Sequence, residues 1–259
     1  LPARGAARGA ARGAARGAAR GGRRGEVDRL GVAYVPAFLP AGEFQAVCEE
    51  CRALRGRLGS ETNAVAHGRR VLPLEAAGAP ATYGAFRSPE TLRRVVSLVG
   101  KDVELGEFPI EYRMYPRGSS MDWHLDEALY ADPQYEVVLT LENTSNSVTE
   151  WKDLEGGRGR EWTEPNSAVI IRAETAVHRV TAVGRGERSI LKLLYTSTDE
   201  KLDAFHENWA RTGLPALPDA PQKPRKAKGR PPLRPINWGR LGGGAGRGPG
   251  KGAGKRSAG

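Results

Sequence analysis

The sequence predicts an α+β protein, mainly β, in which helices precede an antiparallel sheet along the chain. Before residue 105, apolar residues recur with the spacing of amphipathic helices, whereas later short β-branched and aromatic runs predict strands. A run of helices followed by a run of strands is the element order of α+β domains. The third observation is compositional, because basic terminal segments flank an acidic middle segment.

A strand and turn are expected over 30–39, followed by a helix that begins near Gly42. The apolar positions of that helix include Cys48 and Cys51, so both thiols are expected to face the core. A Cys-x-x-Cys spacing also occurs in redox pairs, and that alternative stays open. Two cysteines in 259 residues fit a reducing compartment.

A second helix is expected over 91–99. Ser88 and Pro89 form a typical helix start, with a capping side chain and a proline in the first turn. Gly100 is a typical helix terminator. The boundaries of this helix are therefore predicted at both ends.

Five strands are expected after residue 105, because the apolar period changes there from that of a helix to that of a strand. Each run is short and rich in β-branched or aromatic residues. The predicted strands cover 108–115, 135–141, 168–171, 177–183 and 190–196.

The formal charge of +10 is unevenly distributed. Residues 1–25 hold seven arginines and residues 221–259 hold eleven lysines and arginines, and neither segment contains an acid. The middle segment therefore carries a formal charge of about −8. Low-complexity basic tails of this kind cannot bury a core, so we expect both to be disordered. The positive charge of the tails implies nonspecific contact with nucleic acid.

Residues 26–220 are expected to form one domain with its catalytic core at about 105–200, because this length suits one hydrophobic core better than two. No apolar run is long enough to span a bilayer, and no secretory signal is visible. An intracellular protein is expected. The Arg-rich start has the composition of a transit peptide for an organelle. The basic run over 223–232 resembles a nuclear-localisation segment, so both compartments stay open.

The residues that carry the most chemical information are His124, Asp126 and His178. Residues i and i+2 of an extended segment project to the same side, so His124 and Asp126 can share one metal ion. His178 lies in a later strand-like run and can supply the third ligand. Two histidines and one carboxylate are the ligand set of non-heme Fe(II) oxygenases. A zinc hydrolase could use the same ligands.

Arg188 begins another apolar strand, where a fixed cation is costly unless an anion meets it. A planar guanidinium suits a carboxylate. A zinc hydrolase offers no explanation for this arginine, and so the iron alternative is favoured.

With these residues the chain resembles the 2-oxoglutarate- and Fe(II)-dependent dioxygenases, most closely their prolyl-4-hydroxylase-like branch. The likeness extends over Tyr115-Pro-Arg-Gly before the first ligands, Val137–Asn143, Pro165–Ile171, and His178-Arg-Val followed by Gly186-Glu-Arg188. The chain departs from the family where Ser167 replaces a glycine. It also departs at Glu150-Trp-Lys-Asp, where the hydroxylases carry a Gly-Gly-x-Thr run.

The resemblance implies a double-stranded β-helix, or jelly roll, with supporting N-terminal helices. It implies Fe(II) held by His124, Asp126 and His178, with 2-oxoglutarate, O2 and ascorbate as co-substrates or cofactors. Arg188 and Tyr115 would bind the distal carboxylate of 2-oxoglutarate. The implied reaction hydroxylates an aliphatic C–H, most closely that of a prolyl residue in a peptide or protein, and releases succinate and CO2.

Two other functions remain open on the sequence. The basic tails favour a dioxygenase or demethylase that acts on nucleic acid, although the acidic middle segment has no evident basic channel. A catalytically silent jelly roll with polyanion-binding tails is the other alternative. Arg113, Trp123, Trp151 and Trp162 are candidates for the substrate side, with packing or surface positions as the open alternative, and residues 61–86 are a candidate loop over the barrel mouth.

Overall fold

The structure is a computed structural model that describes residues 23–61, 63–131 and 133–217. The helices are α1 Glu26–Leu30, α2 Ala41–Leu54, α3 Pro80–Arg87, α4 Pro89–Val99 and α5 Asp203–Arg211, and a 3₁₀ turn Arg55–Arg57 continues α2. The strands are β1 Val32–Val35, β2 Gly59–Ser60, β3 Ala66–His67, β4 Arg70–Leu74, β5 Glu104–Leu105, β6 Ile110–Tyr115, β7 Ser120–His124, β8 Gln134–Asn143, β9 Thr149–Lys152, β10 Arg158–Glu161, β11 Ala168–Arg172, β12 Val177–Val180 and β13 Arg188–Thr196.

Within the described residues the strands form two antiparallel sheets. The major sheet has the order β1-β11-β8-β13-β6-β4-β2, and β5 pairs with the end of β13. The minor sheet has the order β10-β9-β12-β7-β3. From β6 onward the chain passes repeatedly from one sheet to the other, so that, apart from the hairpin of β9 and β10, the paired strands of this part are not consecutive in sequence. This winding is a double-stranded β-helix, and the predicted fold class is confirmed.

The largest hydrophobic core lies between the major sheet and helices α1 to α4. Alternate residues of the central strands point toward the helices, as the period of a strand requires. Tyr195 at the end of β13 also donates a hydrogen bond of 2.6 Å to the carbonyl oxygen of Phe86 in α3. The best-buried residues of this core include Val47, Phe86, Val95, Leu139, Ile170, Leu191 and Tyr195. The opposite face of the major sheet is left to face the minor sheet, and the candidate site lies between them.

Helix α4 has the predicted boundaries to within two residues. The Ser88 hydroxyl accepts a hydrogen bond of 3.3 Å from the backbone N–H of Thr91, and Pro89 occupies the first turn. Gly100 ends the helix with φ of 77°, a left-handed conformation that glycine adopts without a Cβ clash. Local chemistry alone specifies this helix.

The cysteines of α2 lie against the main core, as the periodicity predicts. Cys51 is buried and Cys48 is partly buried, and both are free thiols. Burial raises the pKa of Cys48 to about 11 and that of Cys51 to about 12. Neither thiol is therefore ionised at neutral pH, and nothing in this setting activates a redox pair.

The expectation of a loop over 61–86 is wrong for most of that segment, which contains β3, β4 and α3. Strand β4 pairs with β6 along its whole length and widens the major sheet. Its pattern is hidden in the sequence because Pro73 lies inside it and only five residues form it. Helix α5 was also not expected, and it buries Phe205 against Phe108 and Tyr130.

The expectations for both tails lie outside the described residues, apart from residues 23–25, which precede α1. Among the described helices, none is long and apolar enough to cross a membrane.

Candidate active site

Two histidines face each other across paired strands of the minor sheet. His124 is the last residue of β7, His178 is the second residue of β12, and the two are direct register partners. Side chains of such partners project from the same face of a sheet. The imidazole centroids are 4.1 Å apart, with an angle of 56° between the ring planes.

Asp126 completes the group from the loop that follows β7. Its Oδ1 lies 3.5 Å from Nε2 of His124, and its Oδ2 lies 3.3 Å from Nε2 of His178. The backbone N–H of Glu174 donates a hydrogen bond of 2.9 Å to the Asp126 carbonyl and ties this loop to the start of β12. The three side chains thus offer ligand atoms that all lie within 4.8 Å of one another.

Hydrogen bonds with the backbone orient both imidazoles. Nδ1 of His124 lies 2.8 Å from the Asp122 carbonyl, and Nδ1 of His178 lies 3.1 Å from the Ala176 carbonyl. Since a carbonyl only accepts, each Nδ1 donates to it, and this orientation directs each Nε2 toward Asp126, where it can act as a ligand atom. Fixing the tautomer through the second ring nitrogen is how proteins orient histidine ligands to metals.

The charge states of the group suit a cation. Burial lowers the pKa of His178 to about 4, so that its imidazole is neutral at pH 7. Burial by itself raises the pKa of Asp126, but the positive charge of Lys192, together with the two neighbouring histidines, outweighs it, and the pKa falls well below the ordinary value. A neutral imidazole and an ionised carboxylate are the forms that coordinate metal ions.

Two atoms of the group are buried and have no hydrogen-bond partner, namely Nε2 of His124 and Oδ2 of Asp126. Unsatisfied buried acceptors are costly, and a divalent cation between the three side chains would satisfy both. The residues therefore fit a metal ion. Two nitrogens and one carboxylate fit Fe(II) and leave further coordination positions open.

Arg188 lies in the same interior, at the start of β13, and is only 1% exposed. Its Nη1 donates a hydrogen bond of 2.8 Å to Oγ1 of Thr149, whereas its Nε has no partner. Burial lowers its pKa, and no carboxylate of the described residues forms an ion pair with it. A buried guanidinium without a counter-ion is an anion-binding group.

Tyr115 is the register partner of Arg188, so the structure brings together the two residues assigned to the 2-oxoglutarate carboxylate. Its hydroxyl also accepts a hydrogen bond of 2.8 Å from Nη1 of Arg69. Arg69 is 2% exposed and forms an ion pair with Glu61. The Tyr115 hydroxyl itself donates a weak hydrogen bond of 3.5 Å to Sδ of Met121, an acceptor that a carboxylate oxygen would readily replace.

Sequence reasoning missed Arg69, which lies in the segment that was expected to form a loop. It also missed a buried ion pair beside the metal ligands, in which Nζ of Lys192 lies 2.6 Å from Glu136 and 3.6 Å from Asp126. Burial and the charge of Asp126 raise the pKa of Glu136, and the charge and hydrogen bond of Lys192 oppose that shift. Lys192, like Arg188, is a cation in an apolar strand, and the same cost of burying a charge predicts an anionic partner for it.

The four expected substrate-side residues are in different settings. Trp151 is 5% exposed and packs in the core between the sheets, whereas Trp162 is 45% exposed and donates to the Ser145 carbonyl. Trp123 lies beneath the cationic groups of Lys152 and Arg179. Arg113 alone combines a charge with a buried position on β6.

Comparison with known proteins supports the same fold. No family model matches this chain, and no curated protein matches it. Among solved structures, a prolyl-4-hydroxylase from Pseudomonas putida is 19% identical with a TM-score of 0.55, and the match covers 67% of this chain and 96% of that one. The fold is that of the 2-oxoglutarate- and Fe(II)-dependent oxygenases.

Two further solved structures with this fold contain different ligands. A Trichoplax adhaerens prolyl hydroxylase, solved with a peptide fragment of hypoxia inducible factor, is 13% identical with a TM-score of 0.54 and coverages of 66% and 85%. The epimerase SnoN, solved with Fe3+, α-ketoglutarate and nogalamycin RO, is 14% identical with a TM-score of 0.57 and coverages of 77% and 90%. At these identities the likeness concerns the oxygenase fold, and the substrate must be argued from the site.

Proposed function

We propose that this protein is an Fe(II)- and 2-oxoglutarate-dependent oxygenase that hydroxylates an aliphatic C–H. The observation that carries the proposal is Arg188, a fully buried guanidinium without an acidic partner, in the same interior as the His124, Asp126 and His178 group. The metal group alone suits several hydrolases and oxygenases. A metal group together with a buried anion receptor suits a co-substrate with a carboxylate at its far end.

The roles of the residues follow from their geometry. His124, Asp126 and His178 would hold Fe(II), and Arg188 with Tyr115 would hold the distal carboxylate of 2-oxoglutarate. Bound iron and 2-oxoglutarate supply the activation of O2 and the oxidant, which is chemistry that side chains lack. The overall reaction converts 2-oxoglutarate, O2 and R–H into succinate, CO2 and R–OH. The protein positions the co-substrate and excludes water from a site whose polar groups are almost all buried.

For the substrate we propose a prolyl residue of a peptide or protein. Two solved structures with this fold support that class, because one is a prolyl-4-hydroxylase and the other holds a peptide fragment. SnoN has the same fold and a different ligand, so the prolyl assignment depends on a direct test.

The test uses the full chain with Fe(II), ascorbate and O2, and measures succinate formed from 2-oxoglutarate. Iron-dependent succinate is expected from the wild type and is expected to be lost in His178→Ala. The matched control is His67→Ala, because His67 is an exposed histidine on the neighbouring strand β3 that pairs with Asp122 and lies outside the metal group. Its variant is expected to retain wild-type activity.

Tight coupling to an absent substrate could suppress succinate, so binding is measured as well. Anaerobic calorimetry with Mn(II) in place of Fe(II) is expected to show uptake of metal and then of 2-oxoglutarate. Failure to bind either would overturn the proposal and favour the silent binding module. Peptides with and without proline, and oligonucleotides with methylated bases, are then compared by mass spectrometry. An added oxygen on proline supports the prolyl class, whereas turnover of the oligonucleotides alone would replace it with the nucleic-acid alternative.

A further inference from the structure

Arg113 lies in the space between the two sheets, on the same face of β6 as Tyr115. Successive residues of a strand alternate between faces, and Tyr112 belongs to the core under the helices, so that Arg113 projects to the opposite side. Its register partners are Ile190 on β13 and Val71 on β4. The resemblance described above assigns no role to this position.

The hydrogen-bonding groups of Arg113 are only partly used. Nη2 donates a hydrogen bond of 2.6 Å to Oε2 of Glu111, whereas Nε is buried and has no partner. The side chain is 10% exposed. A guanidinium presents its donors as a fork that matches an oxyanion, and a buried donor that lacks an acceptor favours binding of one.

The neighbours of Arg113 place it beside the metal group. Lys192 follows Ile190 by two residues on the same face of β13, which makes it a diagonal neighbour of Arg113, and it lies 3.6 Å from Asp126. Burial raises the pKa of Glu61, but its hydrogen bond with Arg69 and the charges of Arg113 and Arg69 outweigh it and lower the pKa.

The acids that face this region are already paired among the described residues, and an unsatisfied donor distinguishes Arg113 from Arg69 and Lys192. Glu61 pairs with Arg69, Glu136 pairs with Lys192, and Glu111 pairs with Arg113 itself. Arg188 is a separate cation, aligned with Tyr115 and bonded to Thr149. Among the described residues, Arg113 and Arg188 are thus two buried guanidinium groups whose Nε has no acceptor.

We propose that Arg113 is a second anion-binding position, which receives an acidic group of the substrate next to the C–H that is oxidised. The assignment to the substrate rests on the proposed function. The class of substrate that fits is an acidic peptide, with a carboxylate or a phosphorylated side chain close to the target residue. Glu111 competes with that group for Arg113, so it limits the affinity for simple anions.

The first experiment measures anion binding without turnover. Full-length protein is loaded anaerobically with Mn(II) and saturating 2-oxoglutarate, which occupies Arg188, and is titrated with acetate or inorganic phosphate by calorimetry. The wild type is expected to bind one further anion. Arg113→Gln is expected to weaken this binding by at least about tenfold, and Glu111→Gln is expected to strengthen it because the competing carboxylate is gone. The matched control is Arg93→Gln on the exposed face of α4, which is expected to bind as the wild type does.

Two further variants test whether Arg113→Gln loses anion binding only because it misfolds. The double variant Arg113→Gln/Glu111→Gln leaves Glu111 without an unpaired charge, and Arg113→Lys keeps the positive charge. Both are expected to bind 2-oxoglutarate normally, with anion binding lost in the double variant and partly kept in Arg113→Lys. Equal anion binding by the wild type and Arg113→Gln, or no further anion bound by the wild type, would overturn the proposal. If 2-oxoglutarate itself does not bind, the proposed function fails, and the titration with Mn(II) alone still decides whether Arg113 binds anions.

The second experiment identifies the source of the anion. Paired peptides that carry Asp, phosphoserine or Asn beside the target residue are compared for turnover by the wild type and by Arg113→Gln. A preference for one acidic peptide over its Asn counterpart, lost in Arg113→Gln, is expected. Equal turnover of acidic and neutral peptides by the wild type would refute the assignment of this position to the substrate.

Discussion

Replacing Arg188 with methionine tests the co-substrate site most directly, because affinity and stability are expected to change in opposite directions. Arg188 is 1% exposed, and Thr149 is its only side-chain hydrogen-bond partner among the described residues. Loss of one partner from a buried, hydrogen-bonded charge pair costs about 2–5 kcal/mol. The affinity of the metal-loaded protein for 2-oxoglutarate should therefore fall roughly 30-fold to several-thousand-fold.

Without co-substrate the same substitution should not destabilise the fold. Among the described residues this buried cation has no counter-ion, and methionine removes the cost of burying it, of several kcal/mol, at the loss of one charged hydrogen bond of about 1.5–3 kcal/mol. The midpoint of thermal unfolding without ligand is therefore expected to stay the same or to rise. Thr149→Val is the matched control, because it removes the hydrogen bond and leaves the charge, and it should bind 2-oxoglutarate within a few-fold of the wild type.

The assay is anaerobic calorimetry of the Mn(II)-loaded proteins with 2-oxoglutarate, together with thermal unfolding of the same preparations. Arg188→Lys is expected to give an intermediate affinity, since it keeps the charge and loses the planar fork. Wild-type affinity in Arg188→Met would refute the assignment of the carboxylate to this residue. A large loss of stability without ligand would show instead that Arg188 has a structural role.

Three further predictions concern stability and reactivity. Gly186→Ala should destabilise the fold by roughly 1–3 kcal/mol or more in thermal unfolding, because φ is +64° and an added Cβ would lie 2.3 Å from the backbone oxygen of Thr144. Gly84→Ala, where α3 leaves open space for a Cβ, is the control and should be neutral or stabilising in the same experiment. Arg69→Met should cost about 3–5 kcal/mol in chemical denaturation because it leaves Glu61 unpaired, and adding Glu61→Gln should restore much of that loss. Cys51 should react with iodoacetamide at pH 8 far more slowly than in the unfolded chain, because burial raises its pKa to about 12 and the thiolate forms only at higher pH. Equal reaction rates in the folded and unfolded chains would contradict the burial of this thiol.

Local sequence signals predicted the elements whose boundaries depend on their own residues. Ser88, Pro89 and Gly100 delimited α4 through capping and backbone conformation, and the β-branched runs predicted β11 and β13 closely. Strand β4 was missed because its identity depends on its partner β6 rather than on its own five residues. Propensity is a weak guide wherever tertiary pairing decides.

The sequence by itself determined the chemistry available to this protein: two histidines, a carboxylate and a strand arginine in an order that resembles the oxygenases. Tertiary structure decided which groups meet, because register places His124 opposite His178 and Tyr115 opposite Arg188 although many residues separate them. It also decided which charges remain unsatisfied. Lys192 finds Glu136, whereas Nε of Arg113 and Nε of Arg188 find no acceptor. Burial and pairing depend on neighbours distant in sequence, and a pattern of residue types along one chain does not contain them.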